Sequence, residues 1–121
     1  MMNHILIVGF GGGLGAIMRY LMTFLPIKYD FPFITLLTNI LGAIVIGFVV
    51  GMFESQKISS SLQLFWKTGF CGGFTTFSTF SLETVQFLEN GKILIAIIYM
   101  ILSFIGCIFG VILGKWIQIQ L

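Results

Sequence analysis

Long apolar runs interrupted by short polar clusters make up nearly the whole chain. The first run, about Ile5 to Leu25, stops at Pro26-Ile27-Lys28-Tyr29-Asp30. The second, about Phe33 to Phe53, follows Pro32 and ends at Glu54-Ser55-Gln56-Lys57. A third, about Leu62 to Leu88, follows Ser59-Ser60-Ser61, and a fourth, about Ile93 to Ile117, follows the turn Glu89-Asn90-Gly91-Lys92. A helix needs about 20 apolar residues to cross the hydrocarbon of a bilayer, and clusters of Pro, Gly, Asn and Ser mark where helices start and stop. The pattern predicts an all-α membrane protein with four transmembrane helices in one domain, residues 1–121, and no soluble domain. No basic residue precedes the first run, and the run outlasts a signal-peptide core, so it reads as a spanning helix.

Composition narrows the function. Of 121 residues only 8% are charged and 58% are hydrophobic; a soluble domain carries about 25% charged residues. A formal charge of +2 supplies no basic stripe, which excludes nucleic acid as a partner. Cys71 and Cys107 lie in apolar surroundings and read as small buried residues rather than a disulfide pair. The only histidine is His4, and no nucleophile–base pair is evident, so the chain is not expected to be an enzyme.

The third run departs from a plain span. Cys71-Gly72-Gly73 precedes Phe74-Thr75-Thr76-Phe77-Ser78-Thr79-Phe80-Ser81, with Glu83 just beyond. Paired glycines and a run of hydroxyls hold a helix poorly, so a break between Gly72 and Thr75 is expected at mid-membrane depth. Interruptions in lipid persist where protein, water or an ion satisfies the freed backbone, and broken helices often mark ion sites; the plainer reading is a glycine kink. Gly9-Phe10-Gly11-Gly12-Gly13-Leu14-Gly15 is not a nucleotide loop, because Leu14 and Ala16 occupy the places of a third glycine and no strand precedes it. Small residues four apart, Gly9/Gly13, Gly11/Gly15, Gly47/Gly51, Gly69/Gly73 and Gly106/Gly110/Gly114, read instead as helix-packing positions.

A few polar residues stand inside the spans. Arg19 is costly in hydrocarbon and either snorkels or faces a wet anion-attracting vestibule. Asn39 has two amide donors to place, across helices or on a ligand. Tyr99, Ser103 and Cys107 recur every fourth residue and share one face of the fourth helix. Glu83 is open to three readings: proton coupling, a cation partner, or a helix-end residue. Phe77 and Phe80 share a face three residues apart; such pairs are usually core, yet their positive ring edges also suit a small anion. Across four spans, Lys57, Lys67 and Lys115 fall on one side, and Lys28, Lys92 and Arg19 on the other, so the Lys/Arg bias that sets orientation is close to nil and an antiparallel pair becomes possible.

Residues 69–81, Gly-Phe-Cys-Gly-Gly-Phe-Thr-Thr-Phe-Ser-Thr-Phe-Ser, resemble the signature of the Fluc (CrcB) fluoride channels. Gly15-Ala16-x-x-Arg19-Tyr20 and Thr35-Leu-Leu-Thr-Asn39-x-x-Gly42 match that family too, and the similarity covers essentially the whole chain. The resemblance implies a dual-topology (antiparallel) homodimer in the cell membrane, with two fluoride pathways and a structural sodium ion (Na+) at the dimer centre, held by the backbone carbonyls of Gly72 and Thr75. It implies that Phe77 and Phe80 are pore phenylalanines, that Asn39 is a pore amide, that Tyr99, Ser103 and Glu83 belong to the polar pathway with the Thr79 hydroxyl, and that Arg19 belongs to the vestibule. Some relatives carry a hydroxyl where this chain has Cys107. The competing function is a small multidrug-type proton-coupled exporter, a class that depends on a glutamate in its first helix, where this chain has Arg19 and no acid.

Overall fold

A computed structural model describes residues 1–121, all in helices, turns and connections and without a strand. Helix α1 spans Met2–Met22, α2 Phe33–Glu54 and α6 Ile93–Gln120; these three are long and apolar enough to cross a membrane. Between α2 and α6 lies a composite of α3 (Ser60–Gln63), a π-helical stretch (Leu64–Cys71), α4 (Gly72–Phe74) and, after two extended residues, α5 (Phe77–Glu89).

Local chemistry sets the boundaries. Helix α1 ends three residues before the expected Leu25, with the Thr23 hydroxyl turned back onto the Tyr20 carbonyl at 2.6 Å. Ser59 caps α3 by accepting from the Leu62 amide at 3.2 Å, which satisfies one of the unpaired donors at a helix start. At the end of α5 the Gly91 amide donates to the Leu88 carbonyl (3.1 Å) and the Lys92 amide to Phe87 (2.8 Å). That reciprocal pair needs a left-handed residue between them, and Gly91 supplies it with φ +73°. The end of α2 uses the same pair, Gln56 to Phe53 and Lys57 to Met52, both at 2.9 Å. Here Gln56 takes φ +57°, a region where side chains other than Gly and Asn are uncommon.

Glycines decide which helices touch. A Cβ at Gly11 or Gly15 of α1 would run into the backbone of Phe65 or Phe70, and one at Gly73 into the backbone of Gly12. A Cβ at Gly47 would meet the backbone of Val111, and one at Gly114 the backbone of Ile44. Between two helices in lipid there is no water to expel, so close backbone approach through small residues is the main source of attraction. The expected pair Gly9/Gly13 is corrected: both face open space, because the contact face of α1 is the one that carries Gly11 and Gly15.

The same contacts give direction. Along the α1 interface Val8 meets Gly69 and Gly15 meets Phe74; along the α2–α6 interface Ile40 meets Gly110 and Ile44 meets Gly114. Numbers rise together in both, so α1 runs parallel to the composite segment, and α2 runs parallel to α6. The exterior is apolar, with Phe10, Ile17, Phe24, Ile105, Phe109 and Ile112 exposed, whereas the buried positions include Thr38, Thr84, Ser103 and Gln118. That inversion of the usual soluble pattern suits a chain surrounded by lipid.

Candidate functional site

The break lies one step later than the glycines suggest. Gly72 and Gly73 are helical; it is Thr75 (φ −82°, ψ 157°) and Thr76 (φ −149°, ψ 112°) that are extended. Two consecutive threonines can bind local backbone groups through their hydroxyls, an alternative to the helix ladder. Both do so: Thr75 Oγ1 donates to the Cys71 carbonyl at 2.7 Å, and Thr76 Oγ1 accepts from the Thr79 amide at 3.1 Å, capping α5. Thr76 Oγ1 also donates to Thr79 Oγ1 at 3.0 Å. Gly73 is needed for contact with α1 rather than for the break, and Gly42 lets α2 lie directly against Thr75.

Two long-range side chains hold the break. Asn39 clamps Thr76 from both sides, its Nδ2 donating to the Thr76 carbonyl (3.2 Å) and its Oδ1 accepting from the Thr76 amide (2.8 Å). Arg19 Nε donates to the Gly73 carbonyl at 3.1 Å. The Thr76 amide is the ordinary i+4 donor for the Gly72 carbonyl, and Asn39 diverts it. The Thr75 carbonyl accepts no hydrogen bond from backbone or side chain. Two peptide oxygens are thereby released beside Gly72, around which a Cβ would meet nothing.

Gly72 and Thr75 line a groove of about 530 Å³ between α2, the π-helical stretch, α5 and α6. Asn39, Phe77, Phe80 and Ser103 line it together with Gly72 and Thr75. The two phenyl rings stand 5.5 Å apart at 46°. Phe77 is 71% exposed, whereas Phe80 is buried against Tyr99, ring to ring at 5.0 Å. Behind them Tyr99 donates its hydroxyl to Glu83 Oε1 at 3.2 Å. Ser103 Oγ, buried, has no partner; neither has Thr38 Oγ1. A buried unpaired hydroxyl is costly, and Ser103 carries one in the wall of the groove.

Six of the residues singled out in the sequence, Asn39, Gly72, Thr75, Phe77, Phe80 and Ser103, thus meet around one groove. Tyr99 and Glu83 form a pair behind Phe80, and Thr79 sits at the start of α5 in the cap. Arg19 is on the α1 side of the break, tied to Gly73. Cys107 continues the Tyr99–Ser103 face into the groove, and both cysteines are free. The groove also contains Lys67, which the sequence reading counted only as a topological charge. Its signal was its place one helical turn before Cys71 and two before Thr75, on the face that becomes the groove wall.

Hydroxyl and amide donors beside ring edges suit a small anion, and free peptide carbonyls suit a hard cation. Comparison with known proteins agrees with a transport role. Residues 6–115 match the family model described as CrcB-like protein, Camphor Resistance (CrcB). The fluoride-specific ion channel FluC of Flavobacterium psychrophilum is 46% identical over 110 residues, 87% of this chain and 89% of that protein. The protein of the same name from Clostridium perfringens is 50% identical over 106 residues, 84% of this chain and 82% of that one. A third, from Methanocaldococcus jannaschii, is 37% identical over 116 residues, 95% and 94% of the two chains. With three apolar helices of spanning length and relatives named as channels, this is a multi-pass membrane protein and not an enzyme, and it belongs to the CrcB family.

Proposed function

We propose that the chain is a fluoride-selective passive channel that lets cytoplasmic fluoride leave the cell and so lowers its toxicity. The observation that carries this reading is the groove, whose wall brings together Phe77, Phe80, Asn39 and Ser103, the last with an unpartnered hydroxyl. Fluoride is small and strongly hydrated, so a pore must replace its water with donors without holding the ion too deeply. Neutral donors and ring quadrupoles do that. In this reading fluoride passes from the Asn39 amide and Ser103 to the rings, with the Tyr99–Glu83 pair and the Thr79 hydroxyl farther along. Arg19 uses one nitrogen on Gly73 and leaves its remaining guanidinium donors for the vestibule.

The working unit is proposed to be an antiparallel homodimer of four-span protomers. The parallel pairings of α1 with the composite segment and of α2 with α6 support four crossings with residues 60–89 as the broken third, since alternate spans of one chain run the same way. A second copy would wall the open side of the groove beside the exposed Phe77 ring and leave a water-filled passage, and the balanced Lys/Arg distribution permits both orientations. The carbonyls of Gly72 and Thr75 fit a structural sodium ion at the two-fold axis: they are oxygen ligands, released from the helix ladder, on an open side of the break. Such an ion supplies positive charge that neutralises the converging carbonyl dipoles; it is not transported. Equilibration in sodium-free solution is therefore expected to abolish fluoride flux slowly, without a sodium current before or after. Full flux under those conditions would contradict the site.

The exporter reading is less favoured because α1 carries no acid and Glu83 is engaged by Tyr99. Fluoride efflux from liposomes containing the purified protein separates the two. Efflux at equal pH inside and out supports a channel; a strict requirement for a proton gradient supports the exporter.

A further inference from the structure

The groove contains one charged side chain, and it is a cation. Lys67 lines the wall formed by the π-helical stretch, together with Cys107, Ser103 and Phe77 on the surrounding elements. Its ammonium makes no ion pair: the only salt bridge joins Lys115 to Glu54 at 3.1 Å. It also makes no hydrogen bond, unlike Lys115, which reaches both Glu54 oxygens. No carboxylate lines the groove; Glu83 is turned to Tyr99. Lys67 is exposed, so its ammonium stays hydrated while its stem lines the groove, and a cleft of one sign with low-dielectric walls concentrates counter-ions.

We infer that Lys67 makes this groove an anion-collecting vestibule, raising the local concentration of the permeant ion before it reaches Asn39 and the phenyl rings. Arg19, which the family resemblance places in a vestibule, lies on the α1 side of the break with its Nε on the Gly73 carbonyl and does not line this groove. Lys67 is a positioning residue: it acts through the field, not by contact at the narrowest point. Only the identity of the anion as fluoride rests on the proposed function.

Cys107 supplies an internal reporter, because it lines the same groove and is half-buried, whereas Cys71 is only 2% exposed and donates to the Gly42 carbonyl. Protein in liposomes is treated in parallel with an anionic (sulfonatoethyl) and a cationic (trimethylammonioethyl) methanethiosulfonate. The Cys107 thiolate attacks the reagent's thio sulfur, forming a mixed disulfide and expelling methanesulfinate; the thiol proton passes to water. A Cys107→Ser control assigns the signal.

The anionic-to-cationic rate ratio is expected to fall about tenfold in Lys67→Gln, to be preserved in Lys67→Arg, and to lose its dependence on residue 67 in about 1 M salt, where the Debye length is about 3 Å. Fluoride efflux at low ionic strength should fall severalfold in Lys67→Gln and hold in Lys67→Arg. An unchanged ratio in Lys67→Gln overturns the inference, as does a Cys107 unreactive toward both reagents, since the groove would then be closed to aqueous ions. A ratio that falls as expected in a protein that passes no fluoride would retain the vestibule and overturn the fluoride reading instead.

Discussion

Asn39→Asp is expected to reduce fluoride efflux to the background of empty liposomes. Two effects act together. The aspartate presents an oxygen where Nδ2 now donates to the Thr76 carbonyl at 3.2 Å, so acceptor meets acceptor and one side of the clamp on the break is lost. A fixed negative charge also appears on the groove wall, in the path of an anion. Two like charges about 4 Å apart repel by about 4 kcal/mol at an effective dielectric constant of about 20, which corresponds to about a thousandfold in occupancy. Asn39→Ala separates the contributions: it opens the clamp without adding charge, leaving the Thr76 amide and carbonyl unpaired at about 1–3 kcal/mol each. It should lower thermal stability more than Asn39→Asp lowers it per unit of lost flux. Wild-type efflux in Asn39→Asp would remove the amide from the pathway.

Phe80→Ile should slow fluoride efflux by about tenfold or more while the protein still assembles. The phenyl edge is the positive part of the ring, and by analogy with ring–cation attraction of about 0.5–2 kcal/mol its loss costs an ion passing the edge up to about thirtyfold. Phe80 is 5% exposed, against Tyr99 at 5.0 Å and Phe104 at 5.9 Å between ring centroids, so some packing is lost as well. Phe80→Met is the control for volume: it fills the space flexibly but has no ring edge, and should also be slow. If Phe80→Met conducts like the wild type, the rings are core and the donors alone carry the ion.

Most of the helical layout was legible because it depends on apolar run length and on turn residues. Pro32 before Phe33 and Asn90-Gly91 before Ile93 mark element ends to within a residue or two. The position of the break was harder to read. Gly72-Gly73 is the more obvious flaw in a helix, but helix interfaces use glycine for contact, and α1 requires Gly73 to remain helical. What ends α4 is a pair of threonines, of which the second, Thr76, has its amide and carbonyl claimed by Asn39, 37 positions away. No local pattern encodes such a partner. The Asn39 amide was open to an interhelical role or a ligand role; it takes the first while still bordering the groove.

Lys67 was missed for a related reason. Its spacing of one turn from Cys71 and two from Thr75 could be read, but nothing local says that this face of the stretch Leu64–Cys71 borders a groove. Gly9 and Gly13 show the opposite error, a correct spacing with no partner on the face it defines. Spacing says which residues share a face, and only the tertiary arrangement says what that face meets.

The central claim is selective, passive conduction of fluoride, and one measurement addresses it directly. Liposomes carrying the purified protein are loaded with either fluoride or chloride at equal pH inside and out, and efflux is followed after potassium permeability is opened with an ionophore. The account predicts rapid loss of fluoride and retention of chloride at the rate of protein-free vesicles. Equal loss of both anions, or retention of fluoride until a proton gradient is imposed, would contradict it.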